Sequence, residues 1–263
     1  MIEVYLRPES VSQALEMASE HSGKAVWFAG GSKINAAQIK SDKTVAISLG
    51  GLGLNSLEFN ASSLRIGAMC TIQSLIDHSD IPGALKQAAG FIYSRHIRNQ
   101  ATLGGEVAAR QEESLILSTL IAMNATVELA DGQELTVEQY RHAAQPKLIT
   151  HINLPDAGLI CANRNITRSA AGLSVLTAAV SLSKTGEKRV VLDGLSSLDD
   201  LSTNPVRAID IEQSELDGEA LEKAVSEWVE PCEDIRGSVA YKRYIAGVVV
   251  ADLMAECQQL AGE

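Results

Sequence analysis

The sequence has little cysteine, and none of it is paired. Cys70, Cys161, Cys232 and Cys257 lie far apart, with no CxxC spacing. That pattern excludes an iron–sulfur cluster or zinc ribbon held by neighbouring cysteines and leaves four reduced thiols. The histidines, His21, His78, His96, His142 and His151, are scattered without metal-ligand spacing, so no metal site is expected. No Ser/His/Asp arrangement and no carboxylate pair marks a catalytic residue. Positive charge is scarce: 22 Lys and Arg stand against 33 Asp and Glu, for a formal net charge of -11. So acidic a surface disfavours nucleic acid and anionic membranes as partners. Long apolar runs are missing as well. The stretch from Ile245 to Met254 is broken by Asp252 and is too short to span a bilayer. Met1 to Pro8 is charged early and has no apolar core, so no signal peptide and a cytoplasmic location are expected. Neither an internal repeat nor a low-complexity segment is present.

What remains is ordinary globular material. At 263 residues and 46% hydrophobic content, the chain can bury a substantial core in one or two domains. Ser10 is placed to cap a helix whose apolar face is Val11, Ala14, Leu15 and Ala18, ended by Gly23. Ala25 to Ala29 reads as a buried strand, Lys33 to Ile39 as a short helix and Val45 to Leu49 as a second strand, a β-α-β-like unit over residues 1–55. Leu64 to Ala68 reads as a strand, followed by a helix capped by Thr71. A further helix runs from Ala84 to Phe91. Thr126 to Leu129 and Glu134 to Val137 flank an Asp131-Gly132 hairpin signal, and Lys147 to Leu154 is another strand. After Pro155 the pattern restarts with strands at Ile160–Arg168, Val175–Leu182 and Arg189–Leu192. Helices follow, from Asp217 to Trp228 and from Ser238 to the end.

Two glycine pairs stand out: Phe28-Ala29-Gly30-Gly31-Ser32 after the first buried strand, and Ala101-Thr102-Leu103-Gly104-Gly105-Glu106 after a polar loop. Glycine admits positive φ and close approach of the backbone, and successive N–H groups on such turns form nests for anions such as a pyrophosphate. Tyr93 to Gln100 is dense in polar groups. Within it Arg98 and Asn99 are candidates to brace the glycine turn, and Arg95, His96 and Arg98 to compensate charge. His96 is also considered as an acid or base, but no partner stands at motif spacing. Gln111-Glu112-Glu113 reads as a solvated helix start.

These segments, in this order, resemble the FAD-binding medium subunit of the molybdenum hydroxylases, the family of carbon monoxide dehydrogenase and the xanthine dehydrogenases. Leu6-Arg7-Pro8-Glu9-Ser10 resembles the family's opening, and Ala29-Gly30-Gly31-Ser32-Lys33-Ile34 its first flavin loop. Leu64 to Ala68 with Thr71 resembles the next strand and helix start. Ile97 to Gly105 resembles the second flavin loop. Asp234-Ile235-Arg236-Gly237-Ser238 with Tyr241-Lys242-Arg243 resembles the C-terminal signature.

The resemblance implies an α+β fold. It comprises a two-part FAD-binding domain of the vanillyl-alcohol-oxidase (PCMH) type over residues 1–157, divided near residue 55, and a smaller α+β C-terminal domain over 158–263. It implies an oxidoreductase subunit that takes electrons from an iron–sulfur small subunit and a molybdenum-cofactor large subunit. Its FAD passes them to NAD or another acceptor. The implied cofactor residues are Ala29, Gly30, Gly31, Ser32 and Lys33 around the pyrophosphate, with Thr102, Gly104 and Gly105 opposite. Ile34, Val107 and Leu148 would line the flavin or adenine, and Ser114 would sit near the ribose or phosphate. Arg164 stands near where the family has a lysine by the isoalloxazine. The family usually carries Asn, and in some members an acid, where this chain has Glu106; it has Asp where this chain has Leu115 and a proline where it has Glu112. An FAD-free structural or assembly subunit is therefore the alternative.

Overall fold

The computed structural model describes residues 2–35, 42–109, 114–144, 147–195 and 205–262. A three-stranded parallel sheet opens the chain, in the order β1 (Val4–Leu6), β3 (Val45–Ser48), β2 (Ala25–Phe28), with Val45 level with both Val4 and Ala25. Helix α1 (Val11–Glu20) connects β1 to β2. The Ser10 side chain accepts the Gln13 N–H at 3.1 Å, satisfying one of the donors that a helix start leaves orphaned. Gly23, at φ +78, then reverses the chain into β2. The expected helix from Lys33 to Ile39 is described only as a turn over 32–35; its remainder lies outside the described residues.

A five-stranded antiparallel sheet follows, ordered β4 (Leu57–Asn60), β5 (Ser63–Gly67), β8 (Ile149–Leu154), β6 (Thr126–Leu129), β7 (Glu134–Thr136). Period-two alternation gives it two unlike faces. Leu64, Ile66, Val127, Ile152 and Leu154 are buried. On the other face Arg65 donates to Glu128 and Glu58, drawing Glu128 below the ordinary carboxylate range through the Arg65 hydrogen bond. The apolar face is covered by α2 (Ile72–Asp77), α3 (Gly83–Gly90), α5 (Leu103–Ala108), α6 (Leu117–Ala122) and α7 (Val137–His142), while α4 (Arg95–Gln100) lies against α2 outside that core.

The third sheet is antiparallel, ordered β12 (Val206–Arg207), β11 (Lys188–Asp193), β10 (Ser174–Leu182), β9 (Ile160–Thr167). Ala178, Val180, Val190 and Leu192 pack toward α9 (Gly218–Trp228) and α10 (Val239–Gly262), while Ala179 and Val191 join the core around α6. Burial on both faces explains why β10 reads as a continuous apolar run. Ser181 Oγ closes the contact by donating to the Ala122 carbonyl at 2.7 Å. A short helix, α8 (Ile209–Glu212), follows β12.

The polar stretch expected as a loop is the helix α4, capped by Ser94. None of its residues is buried, so it carries no apolar period for the sequence to display. Gln111 to Glu113 lies outside the described residues. Among the described residues no helix is long and apolar enough to cross a membrane, and no three His, Cys, Asp or Glu side chains are grouped to hold a metal.

Candidate functional site

The two glycine loops touch. A Cβ added to Gly30 would lie 1.5 Å from the Gln100 carbonyl oxygen, so only glycine permits this approach. Gly31 sits at φ +75 with the Phe28 ring against it. Gly104 packs on Ala68, where a Cβ would fall 2.6 Å from the alanine methyl. Backbone bonds then stitch the second loop to the turn before α2. Ile72 N–H donates to Ala101, Leu103 N–H to Cys70 and Gly104 N–H to Ala68, all at 2.9 Å.

The loops differ in what they leave open. Gly104 N–H is taken by Ala68, and Gly105 N–H by the Thr102 hydroxyl at 3.1 Å, as the N-cap of α5. By contrast, the N–H groups of Gly30, Gly31, Ser32, Lys33 and Ile34 donate to no other described residue. The row of free donors is therefore on the first loop. The second supplies close-packed backbone and the Thr102 hydroxyl. Thr102→Ala removes the cap and costs about 1 kcal/mol; a fall in the urea midpoint with unchanged slope is the expected reading.

A cleft of about 370 Å³ lies between the loops. Residues 29–34 all line it, as do Thr102, Gly104, Gly105 and Leu148. Val107, Ser114 and Arg164 do not. Val107 is fully buried in the core. Ser114 is buried with its hydroxyl unpartnered. Arg164 pairs with Glu256 of α10 at 3.1 Å, because on β9 it shares the face of Ala162, which packs toward α10.

Other lining residues escape sequence reasoning. Trp27 and Leu49 form apolar wall, and Tyr140 of α7 donates its hydroxyl to the Lys147 carbonyl at 2.9 Å, fixing the rim. The strand expected through Val137 ends at Thr136; Thr136 with Gln139 forms a capping box that starts α7 at Val137, and that spacing is the signal that would have placed Tyr140.

Two lysines line the cleft, and each meets a carboxylate. Lys147 Nζ lies 2.5 Å from Asp131, whose carboxyl that hydrogen bond holds below its usual range. Lys33 Nζ lies 3.7 Å from Glu106 Oε2. Burial pushes the Glu106 carboxyl up, with Lys33 opposing. Behind the second loop, Arg98 donates to Gln73 at 2.8 Å and to the carbonyls of Ile92 and Tyr93 at 2.6 and 3.0 Å. The guanidinium thus ties the segment ahead of α4 to α2.

The donor row on one wall and the apolar surface on the others suit a ligand with a phosphate group and a flat ring system. The family match agrees with that chemistry. A family described as the FAD binding domain in molybdopterin dehydrogenase matches residues 1–157. The YgfM protein of Escherichia coli (strain K12) is 50% identical over 263 residues, covering 100% of this chain and 99% of its own. In the solved structure of a Cu,Mo-CO dehydrogenase, a chain superposes with a TM-score of 0.83 at 21% identity, over 98% of this chain and 99% of that one. A chain of the carbon monoxide dehydrogenase from Hydrogenophaga pseudoflava gives 0.84 at 22% identity, over 98% of each. One of quinoline 2-oxidoreductase from Pseudomonas putida 86 gives 0.83 at 18%, over 98% and 97%. The structural likenesses establish the fold, and the family match with the half-identical relative establishes the lineage. The chain belongs to the FAD-binding family of the molybdopterin dehydrogenases, as an oxidoreductase component.

Proposed function

We propose that the chain is the electron-transferring flavin subunit of a multi-subunit molybdenum hydroxylase. The observation that carries this is the row of N–H groups from Gly30 to Ile34 that line the cleft and donate to no other described residue. These donors and the Thr102 hydroxyl would hold the pyrophosphate of FAD. Lys33 adds a positive charge in an otherwise acidic protein. Trp27, Leu49, Leu148 and Ile149 offer apolar surface to a ring system and exclude water from it. Bound FAD supplies the ability to accept and release electrons singly or in pairs. The chain's own part is to bind, orient and shield. No acid–base group in the cleft is needed for that role, and substrate chemistry is assigned to a partner.

The partners we infer are an iron–sulfur small subunit and a molybdenum-cofactor large subunit, with NAD or another acceptor taking the electrons. In this reading residues 158–263 form a second domain.

The test is a visible spectrum of the purified protein, followed by acid release and identification of the cofactor. Flavin bands, with FAD in the extract, are the expected result. A colourless protein that takes up no added FAD, even with its partner subunits present, overturns the reading in favour of a structural or assembly subunit.

A further inference from the structure

Lys33 is the one cation among residues 29–35, and it projects from the loop that carries the free donors. Its ammonium reaches Glu106 Oε2 at 3.7 Å. The lysine lines the cleft, whereas the glutamate sits behind the wall in the first turn of α5, 5% exposed. An anion laid along residues 30–34 meets a conflict here. A buried carboxylate behind the donor row repels it and also competes for Lys33. Gaining a proton removes both effects.

The surroundings single out this pair. The elements packed on α5 carry Glu138, Tyr140, Arg141 and His142 on α7, His151 on β8 and Cys70 ahead of α2. Among the described residues, Lys33 alone acts electrostatically on Glu106. Tyr140 spends its hydroxyl on the Lys147 carbonyl, and His151 faces Arg65 and Glu128 on the opposite side of the sheet.

We propose that Glu106 is a proton-linked positioning residue for the cofactor. When a pyrophosphate enters, Lys33 turns from Glu106 to the phosphate oxygens, and Glu106, left without its counter-ion, takes one proton from solvent. The proposal rests on residues 30–34 being the pyrophosphate cradle. Burial already favours the protonated carboxyl, so the uptake needs only the loss of Lys33 to complete it. The complex then holds one more proton than the free protein, and affinity must fall as pH rises.

The experiment is titration of the apoprotein with FAD, followed by flavin fluorescence across a range of pH, with calorimetry in two buffers of different ionisation enthalpy. For the wild type, Kd weakens about tenfold per pH unit once Glu106 of the free protein has ionised. About one proton is taken up per FAD bound on that limb. Glu106→Gln keeps the side chain's size, loses the titration and binds FAD with a Kd that is flat over the same range. Lys33→Met weakens binding and moves the onset of the slope to higher pH, because Glu106 then stays protonated longer. A wild-type Kd that is flat with pH, or an equal slope in wild type and Glu106→Gln, overturns the inference while leaving the cradle intact. A wild type that binds no FAD at any pH overturns the cradle, and the inference with it.

Discussion

Asp234→Asn lowers the stability of the protein by about 3–5 kcal/mol, the range for removing one partner of a buried ion pair. The carboxylate serves two buried cations. Lys242, fully buried on α10, places its ammonium 2.9 Å from Asp234 Oδ2 and donates to the Cys232 carbonyl at 2.7 Å. Arg236, 4% exposed, sends Nε and Nη2 to the same carboxylate at 2.8 and 2.5 Å. An amide offers neither cation a charge, and both lie too deep for water to replace it. Urea unfolding followed by tryptophan fluorescence measures the loss, since Trp228 lies on α9 against α10. Adding Lys242→Met to Asp234→Asn removes one stranded cation, so the double variant recovers part of the loss. Acid unfolding reads the same cluster. Burial acts to raise the Asp234 pKa, but hydrogen bonds from Arg236 and Lys242 outweigh it and hold the carboxyl well below its ordinary value. A depressed carboxylate contributes stability that is present above its unfolded-state pKa and is lost as pH falls through the folded one. The wild type therefore loses stability below about pH 4, the ordinary carboxylate value, and Asp234→Asn lacks that contribution. Equal stability of wild type and Asp234→Asn at neutral pH would show that the cluster does not anchor α10.

This cluster also shows how far sequence alone reaches. The segment Asp234 to Ser238 is visible as a signature, yet its job becomes clear only when α10 brings Lys242 back to it. Elsewhere, local signals suffice. The Ser10 cap, the Asp131-Gly132 hairpin and the apolar run of β10 are each contained within a few residues, and each element forms where those signals lie. Two of the elements that escape have a pattern erased by their surroundings. α6 is buried on all sides, so its apolar residues show no period, and α4 is buried on none. At the cleft, residues 29–34 are contiguous and legible, whereas Tyr140 and Lys147 arrive from a distant segment. Val107 and Arg164 illustrate a different limit. Position near a motif does not say which way a side chain faces, and a rotation on a short helix or a one-residue step on a strand reverses it. The two glycine pairs look equivalent as sequence. Only the hydrogen bonds distinguish the loop with free N–H groups from the loop that has spent them.

Gly30→Ala abolishes FAD retention, and it does so from a residue whose own atoms leave no room to adjust. The added Cβ would stand 1.5 Å from the Gln100 carbonyl oxygen, and that oxygen belongs to backbone at the end of α4. Gln100 cannot yield easily. Ala101, next to it, is held by its own N–H to Ile97 at 2.7 Å and by its carbonyl to Ile72 at 2.9 Å. The first loop must therefore move, and the donors of residues 30–34 move with it. Overpacking of this kind costs about 1–3 kcal/mol of stability. The cost in binding is larger. A hydrogen bond to a charged group is worth about 1.5–3 kcal/mol, so misaligning two of the five donors weakens FAD by at least about a hundredfold. Gly105→Ala is the comparison. Its Cβ would meet only the Thr102 hydroxyl, at 2.8 Å, a side-chain atom that can rotate away. It disturbs the α5 cap while leaving the donor row of the first loop in place. FAD content per protein after gel filtration, with circular dichroism to verify the fold, separates the two variants. Loss of FAD in Gly30→Ala with retention in Gly105→Ala assigns the cradle to the first loop. The reverse order would place it on the second, and near-full FAD content in Gly30→Ala would mean that contact between the loops does not align the donors.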